Sequence, residues 1–298
     1  MEYRTLGKTG LKVSALGFGG AEIGFFGVDQ KVVNELLSEA IGGGLNLVDT
    51  AAAYWTSEQM IGEALAGRRK DVVLISKCGA VDGFSRSDWS KQGILETIRN
   101  SLKLLKTDYL DIAQLHSCDS EILERGEAIE ALIVAKEKGY TRFAGYSGDG
   151  TDAAHAVKMN FFDTLQTSVS VADQEAIDLT IPEAAEREMG VIAKRPLANA
   201  VWRNESKPED EYHHEYWDRI AKLRYPFLEL PLDESIGIAL RFTLSVKNVA
   251  SAIVGTREPG RWGQNAELIK EDEFDEKEFE GIRDRWREVA KESWKGQV

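Results

Sequence analysis

Asp49, Tyr54, Lys77 and His116 share a placement: three of them stand at the ends of short apolar runs, and Tyr54 follows Asp49 closely. These four types together suit proton delivery. A tyrosine is a poor acid near neutral pH because its ordinary pKa is about 10, and a nearby ammonium lowers it by stabilising the phenolate. Lys77 is expected to supply that charge. Asp49 would hold Lys77 protonated by an ion pair, and His116 would orient or polarise a carbonyl oxygen beside the Tyr54 hydroxyl. The result would be a general acid aimed at a developing alkoxide. Taken singly, each has a plainer reading: a helix-capping Asp, a rim aromatic, a solvated Lys, a satisfied His. A Schiff base on Lys77 is a separate chemical alternative.

The elements that must bring these residues together follow from the rhythm of the chain. Apolar runs rich in β-branched residues alternate with amphipathic stretches, which is βα repetition. Strands are expected at 14–17, 45–49, 72–76, 109–115, 141–147, 164–167, 191–194 and 250–254. Helices are expected at 31–42, 57–66, 92–106, 121–138, 151–158, 175–188, 234–244 and 276–295. Eight such units predict the α/β class, as a (β/α)8 TIM barrel in one domain over residues 1–298. Gly7 and Gly10 suggest an N-terminal β-hairpin, and the segment from 276 gives a C-terminal helix. In such a barrel the C-terminal ends of the strands form the reactive face, where Asp49, Lys77 and His116 would converge.

An open dinucleotide-binding sheet would instead need G-x-G-x-x-G after its first strand; Gly17 and Gly19 fit, but the third position is Glu22. The stretch 198–231 is long for a loop, and Tyr212, Tyr216, Ile220 and Leu223 fall at helical spacing, so it should carry an inserted helix. Its aromatics, Trp202, Tyr212, Tyr216, Trp217 and Tyr225, would either shape a substrate pocket or pack only against the rim. Loops 80–89, 117–121 and 199–231 would set substrate choice.

Composition bounds the partners. The net charge of -13 disfavours nucleic acid and anionic membrane surfaces. No apolar stretch is long enough for a membrane span, and the opening MEYRTLGKTG does not read as a secretory leader. Cys78 and Cys118 are too few for a disulfide framework and fit a reducing cytoplasm, with both thiols inert. His155, His213 and His214 lack metal-ligand spacing, so no metal is expected. Nothing in the sequence fixes the oligomeric state.

Several motifs together resemble the aldo-keto reductases along nearly the whole chain. They are Tyr3-Arg4-Thr5-Leu6-Gly7 with Thr9-Gly10-Leu11, Leu16-Gly17-Phe18-Gly19, Asn46-Leu47-Val48-Asp49-Thr50-Ala51 with Tyr54, Glu58 and Ile61-Gly62, Ser76-Lys77, and Asp108-Tyr109-Leu110-Asp111 with Leu115-His116. The resemblance implies that Asp49, Tyr54, Lys77 and His116 are a catalytic tetrad with Tyr54 as general acid/base. It further implies NADPH (NADP+) as cofactor and an aldehyde or ketone as small-molecule substrate.

By the same resemblance Gly19, Gly20 and Asp49 line the cofactor, and Ser147 and Gln166 bind its carboxamide. Thr256, Arg257, Arg261, Gln264 and Asn265 hold the adenosine end, where Arg261 would pair with a 2'-phosphate. Two positions depart from the pattern: Gly148 replaces an Asn, and Lys194-Arg195 replaces an aromatic residue that stacks on the nicotinamide and the Ser after it. Lys194 and Arg195 are accordingly expected near the cofactor or the substrate. A cofactor-binding regulatory protein with little turnover is the alternative that these departures leave.

Overall fold

Val73, Leu74 and Ile75 are all buried, as consecutive strand residues must be when helices cover one face and neighbouring side chains fill the other. The computed structural model describes residues 1–270 and 274–297. Its strands are β1 (Tyr3–Thr5), β2 (Lys12–Ser14), β3 (Leu16–Gly19), β4 (Leu47–Asp49), β5 (Val73–Cys78), β6 (Ala80–Val81), β7 (Arg86–Ser87), β8 (Leu110–His116), β9 (Thr141–Ser147), β10 (Thr164–Ser168), β11 (Gly190–Lys194) and β12 (Val249–Val254). Eight of them close a parallel barrel in the order β3-β4-β5-β8-β9-β10-β11-β12, the fold expected from the βα rhythm. The first barrel strand starts at Leu16, whereas Ser14 pairs with Tyr3 in the antiparallel β1–β2 hairpin.

Side-chain caps start several of the surrounding helices. Asp29 accepts from the Lys31 amide at 3.0 Å ahead of Gln30–Gly42, and Ser90 accepts from the Gly93 amide at 3.1 Å ahead of Lys91–Leu104, each satisfying a donor without an intrahelical partner. Two expected helices are each two. Gly126, at φ 81°, ends Ser120–Arg125 and starts Glu127–Glu137, a left-handed break that glycine adopts without a Cβ clash. Thr180 separates Glu175–Leu179 from Ile181–Glu186, whose first turn carries Pro182, a residue with no N–H to continue the preceding helix.

The hairpin seals the N-terminal end of the barrel. Leu6 and Val13 are fully buried in a cluster with Leu47, Val73, Ile75, Ile112, Ile192, Ala250 and Ile253. Lys8 donates its amide to the Glu188 carbonyl at 2.6 Å, and Arg4 Nη1 donates to the carbonyls of Leu244 and Val249 at 2.7 and 3.0 Å. With the floor apolar, the polar interior residues sit at the opposite end.

The stretch 198–231 contains the α-helix His214–Leu223, with Tyr216, Ile220 and Leu223 buried. Tyr212 lies outside this helix in a preceding 3-10 turn and is exposed. The C-terminal helix Glu276–Val289 is shorter than expected. Beyond it the chain turns back across the barrel mouth as a strap: the Trp294 ring packs tilted against Trp286 with centroids 5.4 Å apart, and Arg219 Nη2 donates to the Lys295 carbonyl at 2.7 Å.

Candidate active site

The barrel register brings Asp49, Lys77 and His116 to adjacent strand ends. Asp49 ends β4, Lys77 lies one residue before the end of β5, and His116 ends β8. Tyr54 sits on the turn after β4, where its amide donates to the Ala51 carbonyl at 3.0 Å. Gly24 of the short helix Ala21–Phe25 lies against this turn: a Cβ there would fall 2.1 Å from the Tyr54 carbonyl oxygen, so only glycine permits the approach.

Lys77 Nζ donates to both Asp49 carboxylate oxygens, at 2.8 and 2.6 Å, and to the Thr50 carbonyl at 3.0 Å. All three donors of the ammonium geometry are therefore committed to oxygens while Nζ stays 5.0 Å from the Tyr54 ring centroid. Burial pushes Lys77 toward its neutral form, but Asp49 and Tyr54 override it and its pKa rises. For Asp49, burial raises the pKa against the pull of Lys77; the bidentate contact holds the two as an ion pair. An ammonium so held is a poor nucleophile, which disfavours the Schiff-base alternative.

Tyr54 departs from the expected direction. Burial raises its pKa above 10, and the Lys77 ammonium only partly opposes this. The phenol thus keeps its proton in the resting state, as a general acid must. Burial, then Lys77, Lys194 and Arg195, hold His116 well below its ordinary 6.5, so the imidazole is neutral at pH 7. Its Nδ1 is buried without a protein partner, and its ring meets Tyr54 edge-on at 5.5 Å.

Aromatic side chains surround this pair. Phe84, from the β6–β7 loop, lies 4.8 Å from the His116 ring and 6.3 Å from Tyr54; Phe25 lies 5.6 Å from Tyr54 and 5.9 Å from Trp55. Phe84 and Trp55 are exposed on the described chain. Sequence reasoning named only the loop 80–89 that carries Phe84. The signal available was an aromatic residue after each of three consecutive barrel strands, Phe25 after β3, Trp55 after β4 and Phe84 after β5.

The groups expected to meet a cofactor lie around the same mouth. Ser147 ends β9 and Gln166 lies within β10; both are buried, yet Ser147 Oγ and Gln166 Oε1 have no protein partner. A buried hydroxyl and amide oxygen without partners fit a ligand that carries an amide of its own. At Gly148 a Cβ would come 2.6 Å from the Tyr146 ring, and Tyr146 is fixed by its hydroxyl donating to the Cys118 carbonyl at 2.6 Å. Without that ring moving, no side chain fits where the resemblance expects Asn.

Gly19 ends β3 and Gly20 caps the helix Ala21–Phe25. A Cβ on Gly20 would lie 2.6 Å from Ser57 Oγ. Beyond β12, Thr256 Oγ1 accepts from the Glu258 amide at 3.0 Å, and Arg261, Gln264 and Asn265 share the helix Arg261–Leu268. Asn265 is buried and Gln264 exposed. Arg261 pairs with Glu258 at 3.1 Å, and Arg257 lies over the Phe26 ring at 4.6 Å and 3.9 Å from Glu22. Two arginines, Arg257 and Arg261, thus follow β12, each beside a glutamate.

Lys194 ends β11 and forms a buried ion pair with Asp149 Oδ2 at 2.7 Å. Asp149 Oδ1 also accepts from Thr167 Oγ1 at 2.9 Å and from the Ser168 amide at 2.6 Å. Burial opposes ionisation of both partners; the net shift is downward for each. Arg195 leans toward β10 and the rim, donating from Nε to the Tyr212 hydroxyl at 2.8 Å and from Nη1 to Ser168 Oγ at 3.2 Å and the Gln297 carbonyl. Asp149 and the strap escaped the sequence reading, because neither has a motif or a period.

Comparison with known proteins agrees with this fold. The sequence profile described as "Aldo/keto reductase family" matches residues 15–287. The chain is 30% identical to L-galactose dehydrogenase of Arabidopsis thaliana, over 91% of this chain and 89% of that protein. It is 26% identical to D-threo-aldose 1-dehydrogenase of Pseudomonas sp, over 87% and 90%. Among solved structures, the holo form of aldo-keto reductase AKR11C1 from Bacillus halodurans superposes with a TM-score of 0.84 at 27% identity, covering 98% of this chain and 99% of that one.

Proposed function

This chain belongs to the aldo/keto reductase family and is an NAD(P)H-dependent oxidoreductase, and we propose that it reduces an aldehyde or ketone with NADPH, using Tyr54 as general acid. The observation that carries this reading is Lys77 Nζ, fixed on both oxygens of Asp49 and 5.0 Å from the Tyr54 ring, with a neutral His116 alongside. When bound, reduced nicotinamide supplies a hydride to the carbonyl carbon. Tyr54 gives its hydroxyl proton to the carbonyl oxygen as negative charge develops there. The Lys77 ammonium stabilises the phenolate that Tyr54 becomes, and Asp49 keeps that ammonium charged and in place. Neutral His116 orients the carbonyl oxygen between the two aromatic walls.

Ser147 and Gln166 would hold the nicotinamide carboxamide beside Asp49, with Gly19 and Gly20 leaving room for the cofactor backbone. Thr256, Arg257, Arg261, Gln264 and Asn265 would take the adenosine end, the two arginines favouring a 2'-phosphate. Lys194, held by Asp149, would stand at the nicotinamide end, and Arg195 at the boundary with the substrate side. The whole chain would act as one barrel domain. Two free, buried thiols, with Cys78 pushed up to about 12 by burial, fit a cytoplasmic location. No helix of the described residues is long and apolar enough to cross a membrane.

Tyr54→Phe tests the assignment. It should bind NADPH as the parent does, by fluorescence quenching, while steady-state carbonyl reduction falls by about 10²–10⁴, the usual worth of a positioned acid. Undiminished turnover would remove Tyr54 from the mechanism.

A further inference from the structure

Three cations stand at strand ends around the mouth, Lys77 on β5 and Lys194 and Arg195 at the end of β11, and two are neutralised within the protein: Lys77 by Asp49 and Lys194 by Asp149. Arg195 is different. Among the described residues its acceptors are all neutral oxygens: the Tyr212 hydroxyl, the Ser168 hydroxyl and the Gln297 carbonyl. Nη2 takes no part in these bonds. Among the described residues no carboxylate lies within ion-pair distance of the guanidinium; Asp149, committed to Lys194, acts on it only from further away.

Its backbone is strained to hold it there. Arg195 has φ 54°, and Ala198, Asn199 and Ala200 follow at 45°, 57° and 48°. Side chains with a Cβ adopt this left-handed region only at a cost, and such strain persists where the surroundings over-determine it, often at binding sites. Arg195 directly follows the C-terminal end of β11, so it opens onto the same mouth as Asp49, Lys77 and His116 at the ends of β4, β5 and β8.

A carboxylate matches this group better than the neutral oxygens do, because a guanidinium offers two parallel N–H donors and gains most from an ionised acceptor. Displacing the Gln297 carbonyl would free Nη1 to join Nη2 in such a fork. The cofactor's phosphates are the other possible anion. Arg195 leans toward Ser168 on β10, however, and away from β12, after which Arg257 and Arg261 stand. We propose that Arg195 binds a carboxylate of the substrate, so that the enzyme prefers carbonyl compounds bearing an acid group. This deepens the reductase reading and rests on its placing the carbonyl at Tyr54.

The test is calorimetric titration of the NADP+-loaded protein with matched probes: 4-formylbenzoate against 4-formylbenzamide, and succinic semialdehyde against its amide. In at least one pair the acid should bind at least about tenfold more tightly, a difference of about 1.4 kcal/mol. Arg195→Gln should erase that preference while leaving the amide and NADP+ within about threefold of the parent, and Arg195→Lys should restore part of it. Equal or undetectable binding of both acids by the parent overturns the proposal. So does a tenfold loss of NADP+ affinity in Arg195→Gln, which would assign the arginine to the cofactor diphosphate, or an equal loss of acid and amide, which would make its role structural. Because these readouts are binding constants, they stand even if Tyr54→Phe still turns over and the acid assignment falls.

Discussion

The two buried lysine–aspartate pairs of this barrel are chemically alike and electrically opposite. In Lys77–Asp49 the ammonium gains a bidentate carboxylate, a main-chain carbonyl and a phenol as neighbours, and its pKa rises. In Lys194–Asp149 the ammonium gains one carboxylate oxygen at 2.7 Å, but burial, with Arg195 and Lys77 adding to it, outweighs that carboxylate and its pKa falls. A salt bridge does not by itself decide what its lysine does; burial and the other charges around it do. The first pair is built to stay charged beside a group that must lose a proton. The second is built to occupy a strand end where the resemblance leads one to expect an aromatic ring.

The sharpest way to break this contrast is to delete each ammonium in turn. Lys77→Met should lower kcat for carbonyl reduction by about 10³ or more, and Lys194→Met by less than about tenfold, in parallel steady-state assays. Equal losses would mean that both charges serve the reaction. Next in size is stability. Asp149→Ala leaves Lys194 buried without its carboxylate and should cost about 3–5 kcal/mol in denaturant titration, whereas Asp149→Ala with Lys194→Met should recover part of that loss.

The pH dependence sharpens the same comparison more gently. Lys194 has a folded pKa below 10.5, so the unfolded chain binds more protons between those values and the pair's contribution to stability rises with pH through that window. Lys77 has a folded pKa above 10.5; its contribution is complete below 10.5 and is lost as pH rises through the folded value. Stability differences between the parent and each Lys→Met variant should therefore slope oppositely on the two sides of 10.5.

Asp173 supplies a buried carboxyl with a weaker partner: Arg219 lies 3.8 Å away and Tyr216 donates at 2.9 Å, and burial pushes its pKa up to about 7. Its contribution is complete below pH 3.8 and is lost as pH rises through about 7. Asp173→Asn should flatten that part of the stability profile, and an unchanged profile would show that Arg219 compensates it after all.

The barrel and its four central residues were legible because strand runs such as 72–76 are rich in β-branched residues and lead directly into a polar residue, here Lys77, so order along the chain maps onto position around the mouth. The split at Gly126 was not, because a glycine within an amphipathic stretch reads equally as tolerated or terminal. The Tyr54 shift was not, because an ammonium neighbour can be read from residue types but burial cannot. The carboxylate on Lys194 comes from a different strand end with no motif around it, and the strap lies in a stretch without hydrophobic period. What escaped is what depends on tertiary proximity rather than on local pattern.

The hairpin floor has a consequence for how the protein is made. Leu6, Lys8 and Arg4 find their partners at Gly190, Glu188, Leu244 and Val249, so residues made well before the rest of the barrel are among the last to reach their final contacts. Until β11 and β12 emerge, the nascent chain carries an open apolar ring with its plug unseated. Chaperone engagement should accordingly be strongest on ribosome-bound chains that stop short of Val249 and should drop once β12 is clear of the exit tunnel.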